Sequence, residues 1–592
     1  MKLLDVSEKD CGMKNSLNFE VIDSHIMVKG LSLDEIDCLG ELCSMKVIGT
    51  TVSVAWYNLT ELFNKLKDIG YHTADIADYY SENFINIIME REKNIDRLKN
   101  DNSSFSLKNV SFFNGELYEV QKRGVLSLLM NRVWGLWFEM GMGKTVQVIY
   151  AYKMLLDHIE NCRCLVISPN TVTYEWKLMF EKFINEEAHE VTKDSYLDDK
   201  KIVIVNYEKL IDRKVPKKDE VIESEVMKKL SKQKFDVIVI DESHFIKNIS
   251  SKRTRAVIKL IRGKLRNYKS FNIGKVSSKS IYSSGKFPHI WFLSGTPMEE
   301  VLDIYVFLRR AFGVNFIKYS DFKEYFLEWK EIYIKNGRKL RVPDCVKNEE
   351  ELSRLLNKTS IRKDRSSIRE IKSVDKVIHI NMSDDMLREY NKIINNEDDT
   401  ILERIINGIM FCNNPSLVGI DKLASEKYNA LVDIINGTKE KILVWTIFRD
   451  SADMLKSSLD KEKIKSVVFK GGSDDKEVRR KFEGDYKVLI STLAKGSIGV
   501  NFMKEAGTVV YLDRPFSYAQ WIQSKDRVMR VDRVNTKPVL FIDLKMKIEG
   551  TSVEEMVDEV IERKINLNQL IKEQGNLLLQ KKNKTLGNNE KK

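Results

Sequence analysis

Nowhere in the 592 residues do ~18 apolar side chains run together, so no segment reads as a membrane-spanning helix. The opening residues, Met1-Lys-Leu-Leu-Asp-Val-Ser-Glu-Lys-Asp10, put acids where a secretory leader needs its apolar run. A cytoplasmic location is expected. Cysteine is sparse: the seven are scattered, Cys162 and Cys164 alternate in a strand-like run, and Cys38 and Cys43 have no second pair at zinc-ligand spacing. Reduced thiols are expected, not metal or disulfide roles. There is no internal repeat or low-complexity block, and proline is scarce at eight. Scarce proline with abundant Lys, Ile and Asn fits an AT-rich bacterial or phage gene. The most telling absence is local. Ser251 to Ile290 contains eleven basic residues and no Asp or Glu, which equals the net charge of +11 carried by the whole chain. The rest of the chain is neutral on balance. A concentrated block of this kind points to a polyanion contact, with solvated loop charge as the alternative.

What is present is enough for real cores: 43% of residues are hydrophobic and 31% charged. Residues 1–108 read as an accessory module. Val21–Val28 and Val47–Trp56 alternate as strands, and Leu33–Leu42 and Leu59–Ile69 read as helices. Over 109–312 the pattern changes to apolar runs (Cys164–Ile167, Ile202–Val205, Val237–Ile240, Ile290–Leu293) separated by helical stretches. Runs of this type are expected of parallel strands covered on both faces. Residues 313–435 read as mostly helical. The alternation resumes over 436–572 at Ile442–Trp445, Ser466–Phe469, Val488–Ile490, Val509–Leu512 and Val539–Ile542. A basic tail, 573–592, ends the chain. The expected fold is α/β: two lobes with parallel sheets, helical insertions between them and a small α+β N-terminal module.

Within the first lobe, Gly141, Met142, Gly143, Lys144 and Thr145 follow an apolar run and precede a helix over Val146–Leu156. Glycines let backbone N–H groups wrap a phosphate, and the helix adds its positive end. Lys144 is placed to reach the β- and γ-phosphates and the Thr145 hydroxyl to ligate magnesium. Phe138 stands where the strict phosphate-loop pattern has glycine, so the match is to a shorter variant. Asp241 and Glu242 follow the strand Val237–Ile240, where two carboxylates lie beside a nucleotide crevice. Asp241 suits magnesium, and Glu242 suits polarising the attacking water. ATP and Mg2+ are the expected cofactors.

These segments resemble helicase superfamily two and, within it, the Swi/Snf-type DNA translocases. The carriers are Phe138-Glu-Met-Gly-Met-Gly-Lys-Thr145, Asp241-Glu-Ser-His-Phe-Ile-Lys-Asn248, Ser294-Gly-Thr-Pro297 and Gln523-Ser-Lys-Asp-Arg-Val-Met-Arg530. Together with weaker matches, the resemblance runs from about 110 to 570, and it implies two RecA-like lobes. Tyr118 and Gln121 then resemble the adenine-reading motif, Ser294 and Thr296 the coupling motif. Ser168, Pro169, Trp176, Tyr207, Gly472, Ser491 and Thr492 resemble motifs that face nucleic acid. Gln523, Arg527 and Arg530 sit at spacings that share one helical face. The family's last motif makes Arg530 the arginine finger and Arg527 a second phosphate contact. Departures occur at Met298-Glu-Glu300, Lys495 and Met529. Asp241 to Ser294 is longer than a helix and a strand require, so a basic insertion near 264–288, with Lys264, Arg266 and Lys269, is expected to meet DNA.

The resemblance implies an ATP-driven motor on double-stranded DNA with low sequence specificity. A strand-separating DNA or RNA helicase, and a nucleic-acid-binding switch with a regulatory ATP site, stay open beside it. The N-terminal module is a possible protein-partner site.

Overall fold

The computed structural model describes residues 17–562 apart from 23–24, 41, 43–44, 70, 72–83, 101–106, 108–109, 212–223, 265–287, 299, 313–315, 334–338, 369–370, 497–501, 531–532, 534, 549–550 and 560. The chain forms two compact units. The described part of the first falls within 17–138 and 143–363, and that of the second within 139–142 and 364–562. Among the described residues, no helix is long and apolar enough to cross a membrane.

The first unit opens with a four-stranded antiparallel sheet of β1 (Asn18–Ile22), β2 (His25–Lys29), β3 (Lys46–Ile48) and β4 (Thr51–Ala55), in the order β1-β2-β4-β3. Two alternating runs that read as single strands are therefore hairpins. Ile22 pairs with His25 and Ile48 with Thr51. Alternation continues across a tight turn, so periodicity alone missed both reversals; the positive φ of Gly49 (59°) marks the second.

The main sheet of this unit has seven parallel strands: β5 (Val133–Phe138), β6 (Cys164–Ser168), β7 (Ala188–Glu190), β8 (Ile202–Asn206), β9 (Val237–Ile240), β10 (His289–Leu293) and β13 (Ser360–Lys363). Their order is β13-β5-β10-β9-β6-β8-β7. Between β10 and β13 lies a two-stranded antiparallel hairpin, β11 (Leu327–Tyr333) and β12 (Lys339–Val346).

The second unit has a six-stranded parallel sheet of β14 (Ser373–Asn381), β15 (Ile442–Thr446), β16 (Ser466–Phe469), β17 (Val488–Thr492), β18 (Thr508–Tyr511) and β19 (Val539–Lys547), ordered β14-β19-β18-β15-β17-β16. Successive residues of one strand go to different cores. Leu443, Trp445, Leu489 and Val509 pack on one side, Ile442, Val444, Val488, Ile490 and Val510 on the other. That is why these strands read as continuous apolar runs.

Residues 313–435 are less helical than expected. Besides their helices they hold the β11–β12 hairpin and supply one edge strand to each main sheet, β13 beside β5 and β14 beside β19. Edge strands are half solvated, and β14 is exposed at most of its positions, so neither shows the apolar run that marks a central strand.

The N-terminal sheet and its helices are fastened to the rest of the first unit by a buried ionic cluster. Lys358 Nζ, on the helix Glu349–Thr359, lies 2.9 Å from Glu61 Oε2 and 2.7 Å from Glu92 Oε1, and donates to the Tyr57 carbonyl at 2.7 Å. Arg354 pairs with Glu61 at 2.6 Å. The Tyr57 ring packs 4.4 Å from Phe312 beside them. Burial pushes the Glu61 carboxyl up, but Lys358 and Arg354 together hold it below its ordinary value. Breaking such a pair leaves an uncompensated buried charge. Lys358→Met is expected to destabilise the first unit by about 3–5 kcal/mol, read as an earlier denaturant midpoint with an unchanged slope. A change under about 1 kcal/mol would place the pair with ordinary surface bridges.

Candidate active site

The strand order explains why motifs far apart in sequence meet. β5, β10, β9, β6 and β8 are consecutive neighbours and all parallel, so their C-terminal ends share one edge of the sheet. β5 ends at the glycine loop, β10 at Ser294, β9 at Asp241, β6 at Ser168 and β8 at Asn206. In open α/β sheets this edge is where ligands bind.

The loop after β5 turns through two residues in left-handed conformation, Gly141 (φ 78°) and Gly143 (φ 73°), before the helix Lys144–Leu156 begins. Both positions suit glycine because a side chain is strained there. Lys144 Nζ donates to the Phe138 carbonyl at 2.8 Å. Gln121, buried on the helix Glu119–Met130, accepts the Tyr118 amide on Oε1 at 3.0 Å. Its Nε2 lies 2.7 Å from where a Cβ on Gly143 would sit. The glutamine expected to read adenine thus stands against the loop expected to hold phosphates. Tyr118 itself is exposed.

Asp241 is the most constrained group of the site. Its amide bonds to the Ile167 carbonyl at 2.8 Å, which extends the sheet one residue past β9. Its Oδ1 accepts the Glu242 amide at 3.0 Å, and its Oδ2 accepts Trp176 Nε1 at 2.7 Å. The Tyr207 hydroxyl donates to its carbonyl at 2.6 Å. Burial, and then the adjacent Glu242 carboxylate, push Asp241 up to about 6, while the Trp176 N–H and Lys144 pull it down.

Glu242 carries a φ of 48°, a left-handed conformation that costs energy in a residue with a Cβ. Its Oε2 lies 3.3 Å from His244 Nδ1, and the same nitrogen lies 3.2 Å from Ser294 Oγ. Ser294 Oγ in turn accepts the Thr296 amide at 3.1 Å. An unbroken chain of short contacts therefore joins the acidic motif to the Ser294–Thr296 motif. His244 is the link; the sequence places it in the acidic motif Asp241-Glu-Ser-His244 but gives it no role of its own.

In the second unit, Gln523 and Arg527 are buried and Arg530 is half-buried. The face predicted for all three is kept by Gln523 and Arg527 only: Arg527 caps the helix Tyr518–Asp526 in helical conformation (φ −63°, ψ −31°), and Arg530 lies beyond its end. The Met529 amide still reaches the Lys525 carbonyl at 3.0 Å, but the Arg530 amide turns back on Val528 at 2.9 Å. The Met529 carbonyl is instead bound by the Arg365 guanidinium, which also pairs with Asp526 at 2.6 Å. The Arg365 amide donates to Glu139 Oε2 at 3.0 Å, and a Cβ on Gly141 would lie 3.7 Å from the Arg530 Cα. Arg365 is a further residue that sequence reading missed; it sits two residues after the end of β13. Elsewhere in this unit, buried Asp513 accepts the Thr446 hydroxyl at 2.8 Å and the Ile447 amide at 2.6 Å. Lys427, fully buried, donates to the Leu512 carbonyl at 2.5 Å and pairs with Glu554.

The expected nucleic-acid residues divide. Ser168, Pro169, Trp176, Tyr207, Ser491 and Thr492 are buried, and Trp176 and Tyr207 point inward to Asp241. Each sits at or just after the C-terminal end of a central strand or on the helix that follows one, with its side chain turned into its own unit. Gly472 is exposed (φ 94°). Arg266, Lys269 and the Lys264 side chain, with most of the basic segment, lie outside the described residues.

The SNF2-related domain family matches residues 80–266, and the helicase conserved C-terminal domain family matches 426–532. An uncharacterized ATP-dependent helicase of Mycoplasma genitalium is 27% identical over 526 residues, covering 82% of this chain and 46% of its own. A putative ATP-dependent helicase/translocase of Bacillus subtilis is 24% identical over 504 residues, covering 78% of this chain and 49% of its own. The chain thus spans about half the length of these curated relatives. A solved SWI2/SNF2 ATPase core of Sulfolobus solfataricus in complex with dsDNA aligns over 78% of this chain and 94% of its own, at 21% identity and a TM-score of 0.35.

Proposed function

We propose that the chain is a Swi/Snf-type ATPase of helicase superfamily two that hydrolyses ATP to move along double-stranded DNA and remodel DNA or protein–DNA complexes, a reading supported by the two family matches and the helicase relatives. The observation that carries the reading is the chain of contacts from Asp241 through Glu242 and His244 to Ser294 and Thr296, on strand ends adjacent to the Lys144 loop. Such a path supports a motor because it offers a route by which a change at Glu242 would reach a separate strand end.

The residues fit a magnesium-bound triphosphate. Two left-handed glycines let the loop turn tightly with no side chain at either position, and two carboxylates crowd a buried position that a divalent cation would relieve. Lys144 would hold the β- and γ-phosphates, Thr145 and Asp241 the cation, and Glu242 would orient and deprotonate the attacking water. Gln121 and Tyr118 would meet the adenine. Arg530, with Arg527 and Gln523 behind it, would stabilise charge on the transferring phosphoryl group. Magnesium, when bound, supplies neutralisation of the phosphate oxygens. Ser294 and Thr296 would pass the state of Glu242 along β10. The acid-free basic stretch between Ser251 and Ile290 supports a polyanionic track.

The test is the steady-state ATPase rate with no nucleic acid, duplex DNA, single-stranded DNA or RNA. Duplex DNA is expected to stimulate most, with the stimulation falling as salt rises. Stimulation by single-stranded DNA alone would make the chain a strand-tracking helicase, and stimulation by RNA alone would overturn the DNA reading.

A further inference from the structure

Trp176 lies on the helix Thr173–Ile184 with its ring 2% exposed, and its indole N–H is spent on a carboxylate. Other buried indoles of the same unit behave differently. Trp134 and Trp137 leave Nε1 with no hydrogen-bond partner among the described residues, so burial of the ring does not by itself demand one here. Trp176 is aimed. Its Nε1 meets Asp241 Oδ2 at 2.7 Å while the Glu242 amide meets Oδ1 at 3.0 Å. With one donor on each oxygen, the carboxylate plane cannot rotate about its χ2, and the unused lone pairs of both oxygens keep fixed directions. The ring is itself locked by Phe180, 5.8 Å away, one helical turn along the same buried face.

We infer that Trp176 is a positioning residue for Asp241, holding its carboxylate in the orientation that receives the divalent cation of the nucleotide. The inference rests on the reading of Asp241 as the cation-holding carboxylate. It assigns Trp176 a role toward the metal, in place of the nucleic-acid contact that its motif suggested. Groups that donate to a ligating carboxylate act on the metal through geometry, and their loss typically weakens binding by about 10–100-fold.

The experiment measures binding of a fluorescent ATP analogue to the full chain as magnesium is titrated, alongside binding in EDTA and thermal unfolding without nucleotide. Trp176→Phe keeps a buried aromatic ring and removes the N–H. It is expected to raise the magnesium concentration for half-maximal analogue binding about tenfold, and to leave binding in EDTA unchanged. Benzothienylalanine at position 176 has the shape of tryptophan without the N–H. It should reproduce the shift, which guards against a misfolded Phe variant. Asp241→Asn separates the two claims. If Asp241→Asn leaves the magnesium dependence unchanged, the reading of Asp241 fails and the inference falls with it. If Asp241→Asn shifts the dependence and both Trp176 replacements leave it alone, the inference on Trp176 is overturned by itself.

Discussion

Glu242→Gln is expected to lower the nucleic-acid-stimulated turnover of ATP by about 10²–10⁴-fold, the range for losing a positioned general base. Nucleotide should still bind. The side chain is 17% exposed and its Oε2 sits 3.3 Å from His244, a contact that glutamine can keep with its own oxygen. The left-handed backbone of residue 242 is set by the turn after β9 and is retained. What disappears is the negative charge. That charge is, after burial, the main reason Asp241 is pushed up to about 6, so its removal favours ionised Asp241. Cation and nucleotide should therefore bind the variant as tightly as the parent or more so. Phosphate release gives the turnover, and a fluorescent ATP analogue gives the affinity. Turnover at the parental rate would remove Glu242 from the chemistry. Loss of binding together with turnover would make it a binding residue.

Much of this site could be read from residues alone, because its parts sit at the ends of central strands. β6, β8, β9, β15 and β17 were legible as short apolar runs since each is a central strand buried on both faces. The edge strand β16 was legible too, because it is still mostly buried. The edge strands β7, β13 and β14 were not, because solvent on one side permits charge and alternation breaks down. The phosphate loop and acidic pair were legible for a different reason: their chemistry restricts residue type as well as hydrophobicity. Side-chain orientation is legible only in part. Trp176 resembles a motif that faces nucleic acid, while Trp176, Phe180 and Ile184 recur every fourth residue and mark the buried face of their helix. Arg530 departs from the helix that its spacing suits: the backbone turns at Val528, where Arg365 binds Asp526 and the Met529 carbonyl. No local signal foretells contacts delivered from so far along the chain.

That departure shapes the second large effect. Arg530→Ala is expected to reduce turnover by about 10³-fold or more, as for removal of an arginine finger, with the KM for ATP changed only a few-fold. Arg530 lies past the helix end, half-buried, on a backbone that turns at Val528 and is tied down at Met529 and Asp526 by Arg365. A side chain on such a segment is positioned chiefly by its backbone, and Arg530 is outside the apolar core. Its truncation should therefore leave the thermal midpoint close to that of the parent. Arg527 is the contrast. It is 6% exposed at the helix terminus, so its truncation leaves a buried gap and should lower stability before it lowers rate. Arg530→Lys keeps the charge but loses the planar fork, and should recover little of the lost rate. Rate and midpoint measured on the same three variants separate chemistry from folding. If Arg530→Ala turned over ATP at the parental rate, the finger would not be Arg530. The broken helix would then have placed Arg527 at the phosphate and Arg530 at the surface.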